Sequence, residues 1–335
     1  MIFMQINSTK NESFVTIMLK MVGTNCNMNC EYCYEHVSRN VHRKFSKSEQ
    51  IIEYLVSFTA YDHVFIVFHG GEPLLANREE VRAILNFIKE HFKKEYRIQF
   101  QTNGTLLDDE WIAIFKQYEP NLSLSVSLDP EGEKDLRRMN QVDYRKIVEN
   151  NLKKYCHEIQ NVGVIAVAHK SNYRSFQDFI NELIGMGVRS LTINKYRTEN
   201  LKDENYLAEK EYVEMLKEIF KAWVFNGWYR VINIQPLSSL FSSQGSRICI
   251  YLPDENKCSY FKTYYAETEK SDYCDHITCG KSPRLEPRCL SCEIYLKCGG
   301  GCLAETKDDI FCNARKELFS FIEEVKHEGK QTDCQ

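Results

Sequence analysis

The sequence predicts an α/β fold of parallel strands with a second, cysteine-dense region near the C-terminus. Three observations predict it. Between residues 14 and 225, short apolar runs alternate with segments of helical periodicity, the pattern of parallel strands joined by right-handed crossovers. Residues of special chemistry repeatedly follow the strand ends. The 14 cysteines are unevenly placed: three lie within 26–33, one is isolated at Cys156, and the rest fall between Cys249 and Cys334.

The elements follow in order. Residues 14–22 read as a first strand that runs straight into the loop Cys26-Asn-Met-Asn-Cys30-Glu-Tyr-Cys33. A helix over 47–60 precedes a buried strand at 64–68. Helix 78–92 leads to strand 97–101, and helix 109–116 to strand 122–128. Residues 144–156 are helical, 162–168 a strand, 175–186 a helix and 190–194 a strand. A long amphipathic helix over 209–225 closes the series. An open doubly wound sheet and a partial barrel both fit this periodicity. The placement of unusual residues favours the barrel: His69-Gly-Gly-Glu-Pro73 follows the second strand, Thr102-Asn-Gly104 the third and Asp129-Pro130 the fourth. In barrels the loops after strand C-termini build the active site.

Composition excludes several classes. The chain of 335 residues is 43% hydrophobic and 27% charged, ordinary for a globular protein, and its net charge of −4 argues against a broad nucleic-acid footprint. No apolar run approaches the ~20 residues that span a bilayer. Residues 1–12 lack a secretory signal, so a cytoplasmic location is expected, and there so many cysteines point to metal or redox chemistry rather than disulfides.

Cys26, Cys30 and Cys33 are spaced CxxxCxxC. Three thiolates on one short loop can hold three corners of a [4Fe–4S] cube and leave one iron open for another ligand, whereas most electron-transfer clusters have four thiolates. The same spacing would also align the cysteines on one helix face. Gly23, Asn25, Asn27 and Asn29 around them are loop formers instead.

With these motifs the chain resembles the radical S-adenosylmethionine (radical SAM) enzymes. CxxxCxxC after the first strand, with Tyr32 before its third cysteine, is similar to the cluster motif of that family, and Gly70-Gly71-Glu72-Pro73 to its methionine-binding segment. The resemblance implies a partial (β/α)6, TIM-like barrel. It also implies an open iron that chelates the SAM methionine and a 5′-deoxyadenosyl radical that abstracts hydrogen, the cofactor supplying the chemistry and the protein its orientation. Gly70 and Gly71 would let backbone approach the methionine, Glu72 would offset its ammonium, and Gln101 and Ser127 would lie near its ribose or methionine part. Asp135-Leu-Arg-Arg138 resembles an Asp-x-x-Arg element, making Arg138, or the adjacent Arg137, the partner of the SAM carboxylate.

Cys289, Cys292, Cys298 and Cys302 follow the spacing CxxCx5CxxxC, with Cys312 beyond. This resembles the SPASM extension, a loop-rich module of auxiliary iron–sulfur clusters; a zinc ribbon is the alternative reading. The resemblance allots Cys249, Cys258, Cys274 and Cys302 to a first auxiliary cluster and Cys289, Cys292, Cys298 and Cys312 to a second. That makes three [4Fe–4S] clusters in all. Cys279 is close enough to Cys274 to replace Cys249 as the open fourth ligand. The expected organisation is a barrel over 1–230, a SPASM module over 231–315 and a C-terminal helix and tail over 316–335.

Relatives of this kind modify ribosomally made peptides or proteins, forming thioether or carbon–carbon crosslinks or oxidised residues. That is the first expectation for the substrate. The second is the anaerobic sulfatase-maturating type, which converts cysteine or serine to formylglycine. His69 to Leu74, Gln101 to Gly104, Ser127 to Asp129 and Cys274-Asp275 resemble it, and Asp275 would be the base that takes the substrate proton. A non-catalytic electron carrier is a third reading, against which Gly70-Gly71-Glu72 argues. An external flavodoxin- or ferredoxin-type donor is implied. Residues 1–13 leave little room for a leader-binding domain, so a peptide would dock on the barrel or be presented by a separate leader-peptide-binding protein. Neither nucleic acid nor membrane is expected as a partner.

Overall fold

The first strand, β1 (Phe14–Lys20), points Val15, Ile17 and Leu19 to one fully buried face, as the two-residue repeat of a strand requires. It stops at Lys20 because the Gly23 N–H donates back to the Lys20 carbonyl at 2.9 Å, with Gly23 in a left-handed conformation. The strand expected over 14–22 therefore ends two residues early, in a turn that opens the cysteine loop.

In the computed structural model, residues 13–35, 45–140, 142–198, 200–241, 249–266, 270–271, 274, 283–305 and 307–332 are described. They form two units, drawn respectively from Met1–Leu128, Leu136–Val164 and Ser259–Gly280, and from Asp129–Asp135, Ile165–Cys258 and Lys281–Gln335.

In the first unit, α1 (Ser48–Val56), β2 (His63–Phe68), α2 (Arg78–His91), β3 (Glu95–Thr102), α3 (Asp109–Lys116), β4 (Leu122–Ser127) and α4 (Tyr144–Tyr155) alternate as the sequence predicts. Strands β1 to β4 pair in parallel, in order. Asn77, Asp108 and Asp143 cap α2, α3 and α4 by accepting backbone N–H groups of the first turns. Arg78 joins two of these helix starts through Asp108 at 2.5 Å and Glu110 at 2.6 Å. Under the sheet, Phe68 stacks on Phe100 at 4.2 Å between centroids, and Phe100 meets Phe115 at 4.7 Å.

The other edge of β1 is taken by β8 (Phe261–Tyr265), parallel, with β9 (Lys270–Ser271) antiparallel beyond it. These strands come from inside the stretch expected as the C-terminal module. β8 carries no apolar alternation that marks it, and its place is decided by the free edge of β1.

β5 (Val162–Ala168) carries the chain from the first unit into the second, where α5 (Phe176–Gly185), β6 (Ser190–Lys195), α6 (Glu209–Phe225), β7 (Asn233–Gln235) and α7 (Leu237–Phe241) follow. β6 and β7 pair in parallel, Leu191 opposite Ile234. The helix Asp309–Thr332 begins ahead of residue 316 and takes Cys312 onto its first turn. It packs on α6 through Phe321 and Phe220, with Lys217 paired to Glu317. Among the described residues, no helix is long and apolar enough to cross a membrane.

Candidate functional site

The loop after β1 places Cys26, Cys30 and Cys33 within one turn-rich stretch, none of them in a disulfide. The Met28 N–H donates to the Cys26 sulfur at 3.4 Å, and the Asn103 amide, from the loop after β3, reaches the same sulfur at 3.8 Å. Asn103 also donates to Asn27 at 2.7 Å, and Asn27 to Thr105 at 2.8 Å, so the cysteine loop is tied to the end of β3. Burial pushes the Cys26 thiol up to about 11, with Glu72 and the Cys30 and Cys33 thiols adding to the shift. A thiol burdened in this way suits a cationic centre, which removes the cost by binding it as a thiolate.

The loop after β2 lies directly on the cysteine loop. Gly71 N–H donates to Gly23 O at 2.8 Å and Glu72 N–H to Asn25 O at 2.7 Å. A Cβ on Gly71 would stand 1.9 Å from Asn25 O, and one on Gly70 would stand 2.5 Å from Gly23 O. The glycines are thus required by the approach of two protein backbones. Glu72 is fully enclosed, and both of its oxygens are engaged: Oε1 accepts from Leu74 N at 2.9 Å and Thr102 Oγ1 at 2.7 Å, Oε2 from Asn103 N at 2.6 Å. Burial pushes its carboxyl up to about 7, against the opposing pull of the three donors and of Arg137. Glu72 therefore buckles the loop after β2 to the loop after β3.

The two arginines part company. Arg138 points outward, with its side chain 57% exposed, and holds Glu31 at 2.5 Å. Arg137 is buried, its guanidinium 5.6 Å from the centroid of the half-buried Tyr32 ring. Their backbone runs beside the cysteine loop, with Asn29 N–H on Arg138 O and Glu31 N–H on Leu136 O, both at 2.7 Å. Gln101 and Ser127 are half-buried at the C-terminal ends of β3 and β4. By the strand repeat they continue the face on which Gln99 donates to Ser125, a buried polar pair that no motif announced.

A second cluster also escaped sequence reasoning. Lys20, at the end of β1, is buried in an ion pair with Glu35 at 2.6 Å, its ammonium 4.7 Å from the Tyr265 ring and 5.3 Å from the Tyr34 ring. The Tyr34 hydroxyl stands 3.2 Å from His69 Nδ1. These residues join the cysteine loop to β8 across the sheet edge. Only the pairing of β1 with β8 brings them together.

In the second unit, Cys289 has Cys298, Cys312 and Cys292 as electrostatic neighbours; the Cys289 and Cys312 thiols are pushed up, chiefly by burial. Cys249, Cys258 and Cys302 gather around Lys257. Gly299, left-handed at φ 64°, allows the close turn between Cys298 and Cys302, where a Cβ would meet Tyr251 C at 2.3 Å. Cys274 belongs to the first unit. Asp275, Cys279 and Cys334 lie outside the described residues. Among the described residues, no three His, Cys, Asp or Glu side chains gather closely enough to hold a single metal ion.

Comparison with known proteins gives three kinds of likeness. Residues 21–183 match the radical SAM superfamily. A cysteine-type anaerobic sulfatase-maturating enzyme of Clostridium perfringens (strain 13 / Type A) is 22% identical, over 92% of this chain and 96% of its own. A serine-type enzyme of Bacteroides thetaiotaomicron is 29% identical over 50% of this chain and 43% of its own. Among solved structures, native anSMEcpe with bound AdoMet and Cp18Cys peptide superposes with a TM-score of 0.73 at 18% identity, over 93% of this chain and 99% of that one. Streptococcus suis SuiB bound to precursor peptide SuiA gives 0.61 at 14%, over 89% and 76%. At these identities the structural likeness shows the fold, and it bears out the α/β, partial-barrel class expected from the sequence.

Proposed function

Taking the chain as a member of the radical SAM superfamily through residues 21–183, we propose that it is an enzyme that modifies residues of a ribosomally made peptide or protein. The observation that carries this reading is the docking of Gly70-Gly71-Glu72 onto the loop of the three cysteines. Cys26, Cys30 and Cys33 would hold a [4Fe–4S] cluster whose open iron takes SAM. When bound, the pair supplies a 5′-deoxyadenosyl radical that abstracts hydrogen from the substrate. Arg137, enclosed beside Tyr32, is the better placed of the two arginines to meet the SAM carboxylate, because Arg138 is committed to Glu31. Glu72 keeps the loops after β2 and β3 in register around that cofactor rather than meeting it with a free oxygen. Gln101 and Ser127 would line the ribose or methionine end.

The two allotted sets, Cys249, Cys258, Cys274 and Cys302, and Cys289, Cys292, Cys298 and Cys312, would hold auxiliary [4Fe–4S] clusters, with Cys279 as the alternative to Cys249. Asp275 would take the proton that the substrate loses as its radical is oxidised. Electrons would come from an external flavodoxin- or ferredoxin-type donor, and a separate leader-peptide-binding protein would be one way to present the substrate. A thioether or carbon–carbon crosslink, or an oxidised residue, is the first reading of the product. Formylglycine formation on cysteine or serine is the second, favoured by the end-to-end match to the cysteine-type sulfatase-maturating relative.

The test is anaerobic incubation with reductant and SAM. The protein should release 5′-deoxyadenosine, and the variant with Cys26, Cys30 and Cys33 all changed to Ala should release none while keeping its auxiliary iron. Absence of 5′-deoxyadenosine from the unaltered, iron-loaded protein would return the chain to the electron-carrier reading. Mass spectrometry of a cysteine-bearing sulfatase peptide separates the two products: an aldehyde selects formylglycine.

A further inference from the structure

Two lysines in the second unit are buried with their ammoniums on backbone carbonyls. Lys257 is 1% exposed, and its ammonium donates to the carbonyls of Gly299 at 2.6 Å, Gly301 at 2.8 Å and Leu252 at 3.2 Å. Lys307 is 7% exposed and donates to the carbonyls of Cys302 and Glu305. Among the described residues neither has an acidic side chain within ion-pair distance. The contrast with Arg315 in the same unit is direct: that buried guanidinium has Glu209 at 3.7 Å and the ring of Tyr251 at 4.3 Å. Carbonyl dipoles alone offset little of the cost of burying an ammonium, and Lys257 and Lys307 lie close enough to repel each other.

Beyond those carbonyls, thiols stand in electrostatic range of both ammoniums. Lys257 has Cys249, Cys258 and Cys302 in electrostatic range. Lys307 has Cys302 and Cys289, one thiol from each allotted set, together with the more distant carboxylates of Glu305 and Glu286. An iron–sulfur cluster with four thiolates carries net negative charge, so it would supply the close anion that, among the described residues, no carboxylate provides at ion-pair distance. Lys257 also ties two ligand-bearing segments together, the one after Cys249 and the one between Cys298 and Cys302.

We propose that Lys257 and Lys307 are the internal counter-charges of the auxiliary clusters, closing the ligand segments and holding the cluster potentials up. This rests on the auxiliary-cluster reading above. A fixed positive charge favours the more negative, reduced state of a cluster, so its removal lowers the reduction potential. Lys257 acts on the first auxiliary set, and Lys307 on both.

The experiment is a potentiometric titration followed by electron paramagnetic resonance, with iron analysis, on the full-length, reconstituted protein. In Lys257→Met the potential of one auxiliary cluster should fall, and in Lys307→Met those of both, while the signal that responds to SAM stays unmoved. If Lys257→Met loses auxiliary iron, Lys257→Arg, which keeps the charge, should retain it. Unchanged potentials in both Met variants would overturn the proposal, as would a Lys257→Arg as poor in iron as Lys257→Met. Iron in the unaltered protein sufficient for only one cluster would overturn the auxiliary-cluster reading itself, a result visible before any variant is made.

Discussion

Side chain by side chain, the site separates groups that sequence adjacency treats as equivalent. Arg137 and Arg138 are neighbours, yet one is enclosed beside Tyr32 and the other is spent on an exposed pair with Glu31. Arg138→Ala should cost no more than about 1 kcal/mol of stability, the range of surface ion pairs, and leave SAM affinity nearly unchanged. Arg137→Ala should weaken SAM binding roughly tenfold or more, as loss of a charge-assisted contact does. Equilibrium binding of SAM to the two reconstituted variants checks this, and equal effects would remove Arg137 from the cofactor. Glu72 gives a pH signature. Its carboxyl sits at about 7 in the fold and at an ordinary 4.5 when unfolded, so the folded state binds the extra proton. The stabilisation is present below pH 4.5 and is lost as pH rises through 7. In iron-free protein, urea unfolding should show a loss of about 3 kcal/mol across that window, absent from Glu72→Gln.

Among the elements, the consequential contact is between two loops rather than between helices and sheet. The loop after β2 rests on the loop after β1 only because positions 70 and 71 lack side chains. Gly71→Ala should push the loops apart at a cost of about 1 to 3 kcal/mol, the range for overpacking. On the proposed cluster assignment, the variant is expected to lose the iron that Cys26, Cys30 and Cys33 would hold and to keep that of the C-terminal cysteines, as read by iron analysis with and without SAM. The motif itself was legible in the sequence, since Gly70-Gly71-Glu72 is conspicuous. Its local purpose was not, because the partner of Gly71 is the backbone of Asn25, more than forty positions earlier. β8 shows the same limit at strand level. Its five residues offer too short a pattern to read, and the unsatisfied edge of β1 recruits them.

On the scale of the whole molecule, the cysteine economy predicts an iron count. Reconstitution should load about twelve irons per chain if three [4Fe–4S] clusters form, and about eight after Cys26, Cys30 and Cys33 are replaced by Ala. A count near four with zinc present would mean that the C-terminal cysteines hold zinc instead. The sequence by itself determined the alternation of strands and helices, the loop of three thiols and the strand-end position of the chemistry-bearing residues. Those are local: periodicity and spacing are written in consecutive residues. Tertiary structure alone decided which arginine turns inward, that Glu72 spends both oxygens on backbone and Thr102, that Lys20 is sealed between Tyr34 and Tyr265, and that Lys257 and Lys307 sit near thiols with, among the described residues, no carboxylate at ion-pair distance. Each depends on which distant segments share a low-dielectric interior, where a charge must be matched by whatever the fold brings beside it.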